Sequence, residues 1–186
     1  MEEKLPSGTG GFINPQKVIE QIGLKEGAKV ADFGCGHGYF TIPVAKLVGK
    51  EGKVYAVDIL LEALEAVRSR AQLENAPNIE TVRGNLEAAN GSRLPDNSVD
   101  LVLLHNVLFQ TQKKLEIIKE ARRTLKRGGT FVLIDWKKEV AAIGPRDGGR
   151  LSFDEARALG QEAGFVFNRV FDAGRYHFGL TFFKAQ

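Results

Sequence analysis

Apolar runs of strand length alternate with helix-period segments along most of this 186-residue chain, and that alternation restricts the fold more than any other feature. Strand-like runs stand at 28–33, 53–57, 79–82, 99–104 and 130–135, the fourth announced by the turn Pro95-Asp96-Asn97. Between them, Ile42, Val44, Ala45, Leu47 and Val48 mark a helix closed by Gly49, and residues 60–75 and 112–126 mark two more. Lys126-Arg127-Gly128-Gly129 puts basic residues and glycines where a helix C-terminus accepts them. Asn14-Pro15 reads as an N-cap and first-turn proline for a helix through about Ile22. Ser152-Phe153-Asp154-Glu155 is a capping box. Strands joined by helices predict a parallel sheet covered on both faces.

The C-terminal part breaks this rhythm. Residues 165–171 and 177–184 are both strand-like, yet only Asp172-Ala173-Gly174-Arg175-Tyr176 separates them. A parallel crossover needs about a dozen residues, so these two strands must be antiparallel neighbours. The run His177-Phe178-Gly179-Leu180-Thr181-Phe182-Phe183-Lys184 is apolar at both parities, as expected of a central strand buried on both faces. The sheet is therefore mostly parallel, with one reversed strand near its end.

Asp32-Phe33-Gly34-Cys35-Gly36-His37-Gly38 sits at the first strand-to-helix junction. Glycines there allow positive φ and let a ligand approach bare backbone, and the following helix N-terminus suits an anionic group. A purely structural tight turn is the alternative. Asp58 ends the second strand, where strand C-termini border the ligand crevice of an open α/β sheet. A carboxylate at that place accepts both ribose hydroxyls of an adenosine ligand; otherwise it caps the next helix. Dinucleotide folds use Gly-x-Gly-x-x-Gly, but here the third glycine's place is held by Tyr39 and the spacing is Gly34-x-Gly36-x-Gly38. The pattern departs from that of a nucleotide-dependent oxidoreductase, the rival enzyme class.

The run Val30–Gly38 resembles motif I of the class I S-adenosylmethionine-dependent methyltransferases, nearest the group that includes the ubiquinone/menaquinone-biosynthesis (type 11) enzymes. The likeness continues through Val54–Asp58, Leu94–Asp100 and Leu125–Gly129, and covers about residues 14–184 in order. It implies a Rossmann-like three-layer αβα sandwich, with a mostly parallel seven-stranded sheet and an antiparallel final strand. It implies S-adenosylmethionine as cofactor and a methyl acceptor that the motifs do not name. Carried over by position, Asp32, Gly34, Cys35, Gly36 and Gly38, with Phe33 and Tyr39 beside them, would hold the methionine part and ribose edge. Asp58 would take the ribose hydroxyls and Ile59 would pack against adenine. Gly84, Asn85 and Leu86 would lie near the adenine amino group; Asn85 stands where the family often has Asp. His105 and Asn106 would stand where cofactor and acceptor meet. His105-Asn106-Val107-Leu108 lacks the Asn-Pro-Pro-Tyr-like residues of amino-methylating enzymes that act on nucleobases or glutamine.

Methyl transfer from a sulfonium requires the acceptor held on line, and a base only where the nucleophile must lose a proton. His105 is the candidate base; His37, Asp135 and His177 are further titratable groups at loops or strand ends. If the last strand is antiparallel only through its short turn, His177 falls at the end of the sheet away from the crevice. Trp136 either walls the acceptor pocket or simply packs. Lys137, Lys138, Arg146 and Arg150 either attract an anionic acceptor or belong to a solvated loop. Three scattered histidines and one cysteine make no metal site, and one cysteine argues against arsenic-type acceptors. The expected chain is one domain, 1–186, in which segments 1–14 and 136–151 act as mobile covers. The acceptor is expected to be a small molecule, since no appended recognition domain is visible. A protein that kept the fold and bound cofactor without turnover is the non-enzymatic alternative. The formal net charge of +3 is too small to argue for nucleic acid. No apolar run reaches bilayer-spanning length and Cys35 is alone, which points to a cytoplasmic protein with no membrane partner.

Overall fold

A computed structural model describes residues 13–139, 143–145 and 149–185. In chain order the elements are α1 Pro15–Ile22, β1 Lys29–Phe33, α2 Thr41–Val48, β2 Lys53–Asp58, α3 Leu61–Leu73, β3 Ile79–Arg83 and β4 Val99–His105. They continue with a 3₁₀ turn Leu108–Gln110, α4 Lys114–Thr124, β5 Leu125–Trp136, α5 Phe153–Glu162, β6 Phe165–Phe171 and β7 His177–Lys184. Both expected helix starts hold: the Asn14 side chain accepts from Lys17 N–H, and Ser152 and Glu155 close the capping box.

The seven strands form one sheet in the order β3-β2-β1-β4-β5-β7-β6. Strands β1 to β5 pair in parallel, and β7 runs antiparallel to both β5 and β6. The both-parity apolar pattern of β7 thus has its predicted cause. Phe182, fully buried, stacks with Phe131 and packs at a tilt against Phe165, at ring-centroid distances of 5.8 and 6.1 Å. Burying each such ring contributes roughly 2–3 kcal/mol. Helices α1 and α2 cover one face through Val18, Ile19, Val44 and Val48 against Val30, Leu103 and Ile134. Helices α4 and α5 cover the other through Ile117, Ile118, Ala121 and Ala156.

One helix differs from its expected span. Helix α4 stops at Thr124, not 126, because Leu125 turns extended (φ −68°, ψ 138°) and pairs with Val99. Leu125 is wholly buried there. Core burial outweighs the Lys-Arg-Gly-Gly stop signal, which falls on the start of β5 instead.

The chain order reverses direction between β1 and β4: β2 and β3 lie on one side, β5 onward on the other. In such sheets the reversal marks the usual ligand position, outside the strand C-termini.

Candidate functional site

Gly34, Gly36 and Gly38 all have positive φ, at 70°, 50° and 79°. A Cβ on Gly34 would stand 2.4 Å from Val107 Cγ2, so the loop needs a glycine for packing as well as for its turn. Gly36 differs: nothing lies within 4 Å of where its Cβ would be. Its bare backbone faces open space. Its N–H donates to Asp58 Oδ2 at 2.9 Å, and Leu60 N–H donates to Asp58 Oδ1 at 3.0 Å. Asp58 therefore ties the glycine loop to the β2–α3 turn, and each oxygen keeps a lone pair for another donor.

The remaining predicted positions divide by what their side chains do. Phe33 and Leu86 are buried in the core, and their side chains are taken up by packing. Cys35 packs with Ala56, Leu64 and Val67, and burial pushes its thiol far up. Tyr39 and Ile59 are about half exposed; Tyr39 O–H donates to Ile13 C=O at 2.6 Å, fastening the loop to the start of α1. Gly84 is buried, and a Cβ there would meet Gly91 O at 2.4 Å. Asn85 is exposed and its Oδ1 accepts from Glu87 N–H. His37 is exposed, its carbonyl held by Arg70.

Among the described residues, the buried side-chain polar atoms without a hydrogen-bond partner are Asp32 Oδ1, both His105 nitrogens, Asn106 Oδ1 and both His177 nitrogens. Leaving such a group unpaired costs about 1–3 kcal/mol. Asp32 pairs in register with Leu103, His105 with Ile134, and Trp136 with His177. Since side chains alternate along strands, Asp32, His105, Trp136 and His177 project from one face of the sheet. Asn106, one residue past β4, has φ 55°, a left-handed backbone that asparagine tolerates.

His177 corrects an expectation. It stands beside Trp136, ring centroids 4.1 Å apart, at the crevice end of the sheet. The reason is geometric: a strand antiparallel to β5 begins where β5 ends. Burial, aided by His105, Lys137 and Arg150, lowers the His177 imidazole to about 4. Asp135 faces the other way. Its Oδ2 accepts Leu108 N–H at 2.9 Å, capping the 3₁₀ turn, and burial raises it to about 6.

The loop after β5 is not simply solvated. Arg150 is buried, donates to the carbonyls of Lys137, Ile143 and Pro145, and lies 5.5 Å from the Trp136 ring. Lys137 donates to the Gly174 and Arg175 carbonyls, and Lys138 pairs with Glu155. Arg146 and most of the first expected cover segment lie outside the described residues, as do 140–142. Beside this loop, Lys137, Phe153, Phe171, Phe178 and His177 line a groove of about 550 Å³. No cluster of potential metal ligands occurs among the described residues.

Sequence reading missed one buried group, Glu120. Its Oε1 accepts Ser92 N–H and O–H at 2.9 and 2.6 Å, and Arg123 closes the cluster onto Asp96. Ser92 and Glu120 lie 28 residues apart, and no local pattern joins them.

The comparisons with known proteins agree with this fold. The family described as "Methyltransferase domain" matches residues 24–159. A solved S-adenosylmethionine-dependent methyltransferase from Aquifex aeolicus superposes with a TM-score of 0.85 at 30% identity, over 94% of this chain and 91% of that one. The ubiquinone/menaquinone biosynthesis C-methyltransferase of Hahella chejuensis is 33% identical over 127 residues, 67% of this chain and 49% of its own length. A demethylmenaquinone methyltransferase of Geobacillus stearothermophilus is 30% identical over 118 residues, 63% of this chain and 49% of its own. The chain thus spans about half the length of these two curated relatives. A fold with its switch point at a glycine loop, and a family match across that loop, lead to one statement: the chain belongs to the methyltransferase-domain family, within the class I S-adenosylmethionine-dependent group.

Proposed function

We propose that this chain moves a methyl group from S-adenosylmethionine to a small-molecule acceptor bound over the ends of β4, β5 and β7. The observation that carries this is the unpaired Asp32 Oδ1 beside a glycine loop whose open position, Gly36, touches Asp58. These residues fit the cofactor: Asp58 would offer two acceptors to its vicinal hydroxyls, exposed Ile59 would offer an apolar surface to adenine, and the Gly34–Gly38 backbone with Asp32 would hold the methionine part. The Gly84–Leu86 main chain lies where the adenine edge is expected. Bound there, the cofactor supplies an activated methyl group on a cationic sulfur.

The chain's own work is placement. The acceptor must approach within about 3–3.5 Å of the methyl carbon, in line with the breaking bond. Trp136 and His177 wall the far side of that approach and His105 stands between them and Asp32. The named relatives act on demethylmenaquinone or in ubiquinone and menaquinone biosynthesis, so demethylmenaquinone is the first acceptor to assay, in its oxidised and reduced forms. No described helix is long and apolar enough to cross a membrane, and a buried, reduced Cys35 suits the cytoplasm.

Thermal-shift titration with S-adenosylmethionine, S-adenosylhomocysteine and NAD tests the cofactor. The first two raise the midpoint; stabilisation by NAD alone overturns the reading.

A further inference from the structure

We infer that Asp32 is a positioning residue for His105, and that the two act together as the proton-accepting unit for the acceptor. The inference rests on the methyltransferase reading above and adds a role to a carboxylate otherwise assigned to the cofactor.

The geometry starts with Thr41. Its hydroxyl donates to Asp32 Oδ2 at 2.6 Å, which pins the carboxylate and leaves Oδ1 directed at His105. His105 Nε2 stands 3.8 Å from Oδ1 and has no other partner. A small shift of either side chain brings this contact to hydrogen-bond length. Phe40 packs on the imidazole with ring centroids 4.6 Å apart, limiting its rotation. Nδ1, on the other side of the ring from that contact, is buried and unpartnered.

A histidine's tautomer is set by what its other nitrogen bonds to. Among the described residues no backbone carbonyl fills that place for His105, and the Asp32 carboxylate is the group positioned to do so. With the proton held at Nε2, the lone pair lies on Nδ1. An acceptor X–H bond can then break with its proton going to Nδ1 and its electron pair staying on X. The resulting imidazolium faces Asp32, and the ring returns to its starting form by giving that proton to water.

The surroundings favour this arrangement. Burial raises Asp32 and lowers His105, while the attraction between them opposes both shifts. The pair therefore gains most when both members are charged, the state that a transferred proton creates. The other groups bearing on the pair are Asp58, whose charge acts on Asp32, and His177, which His105 influences.

Imidazole ¹⁵N NMR of the cofactor-free protein tests this without any acceptor, and only three histidines need assignment. In the parent, His105 shows one tautomer, protonated at Nε2. In Asp32→Asn its proton affinity falls by about tenfold or more, and in Asp32→Ala the tautomers also mix. Unchanged titration and tautomer in both variants overturn the proposal. If both variants unfold, Thr41→Val is read in their place: mixed tautomers support the unit, and an unchanged single tautomer overturns it. S-adenosylhomocysteine binding to the parent is measured separately; its failure sinks the methyltransferase reading and leaves the NMR result standing.

Discussion

The two ends of the sheet handle polar groups in opposite ways. At the end where β1 and β4 begin, charges are matched. Asp100 accepts from Lys126 at 2.6 Å and from Lys29 N–H at 2.8 Å. Burial pushes Asp100 up, but these partners outweigh it and hold the carboxyl below its usual range. Glu120 is satisfied by Ser92 and Arg123, and Lys184 donates to Asn97 and the Leu125 carbonyl. At the other end, Asp32, His105, Asn106 and His177 keep unpaired atoms. The difference is one of pairing: one end satisfies its polar groups within the chain, and the other leaves four side chains with unpaired atoms.

The largest expected effect comes from breaking the matched end. Glu120→Ala leaves both buried Ser92 donors without their acceptor, while Arg123 keeps Asp96 and the Leu94 carbonyl, and is expected to lower unfolding free energy by about 3–5 kcal/mol in urea titration. A loss under 1 kcal/mol would mean that this cluster is not a structural clamp. At the open end, Asp58→Ala frees the Gly36 and Leu60 N–H groups, costing about 1–2 kcal/mol of stability, and should weaken S-adenosylhomocysteine binding by about 2–4 kcal/mol, roughly 30- to 700-fold by calorimetry. Binding equal to the parent would remove the ribose assignment.

His177 gives an effect of up to about 3 kcal/mol that depends on pH. The unfolded imidazole takes its proton near pH 6.5 and the folded one near 4. Between these values the unfolded state binds more protons, so stability falls as pH falls. Asp135 acts oppositely: raised from 3.8 to about 6, it favours the folded state as pH falls through that range. In His177→Phe the His177 contribution is removed while those of Asp135, Asp32 and His105 remain, so unfolding curves from pH 7 to 4 should change slope between parent and variant. Parallel curves would contradict the placement of His177. Above pH 7 the same variant gains about 1 kcal/mol, because two unpaired nitrogens are gone. The smallest effect is Lys126→Ala. That ion pair is about two-fifths exposed on both partners, and thermal unfolding should register less than about 1 kcal/mol.

What the sequence disclosed follows from distance along the chain. The glycine loop, Asp58 and both helix caps are local patterns in which a few neighbouring residues fix the backbone. The central position of β7 was also legible, since its two-sided apolar pattern and five-residue turn leave one arrangement. His177 was misplaced because its location depends on strand direction combined with register, not on the turn alone. The Glu120 cluster and the Asp32–His105 approach join separate elements, and no spacing rule announces them. Helix α4 ended early because the core took Leu125, a preference that propensity does not contain.

The insertion of β7 between β5 and β6 bears on how the chain assembles. β7 is the last of the seven strands in chain order, yet it occupies an interior place in the sheet. During synthesis, β5 keeps a bare edge until residues 177–184 have left the ribosome, and β6 waits without a neighbour. An unpaired, apolar strand edge of that kind recruits other chains. A nascent chain paused before His177 is thus the species most exposed to aggregation, and the same closing step delivers His177 to Trp136. The pairing of β7 that completes the sheet is the same pairing that sets His177 against Trp136.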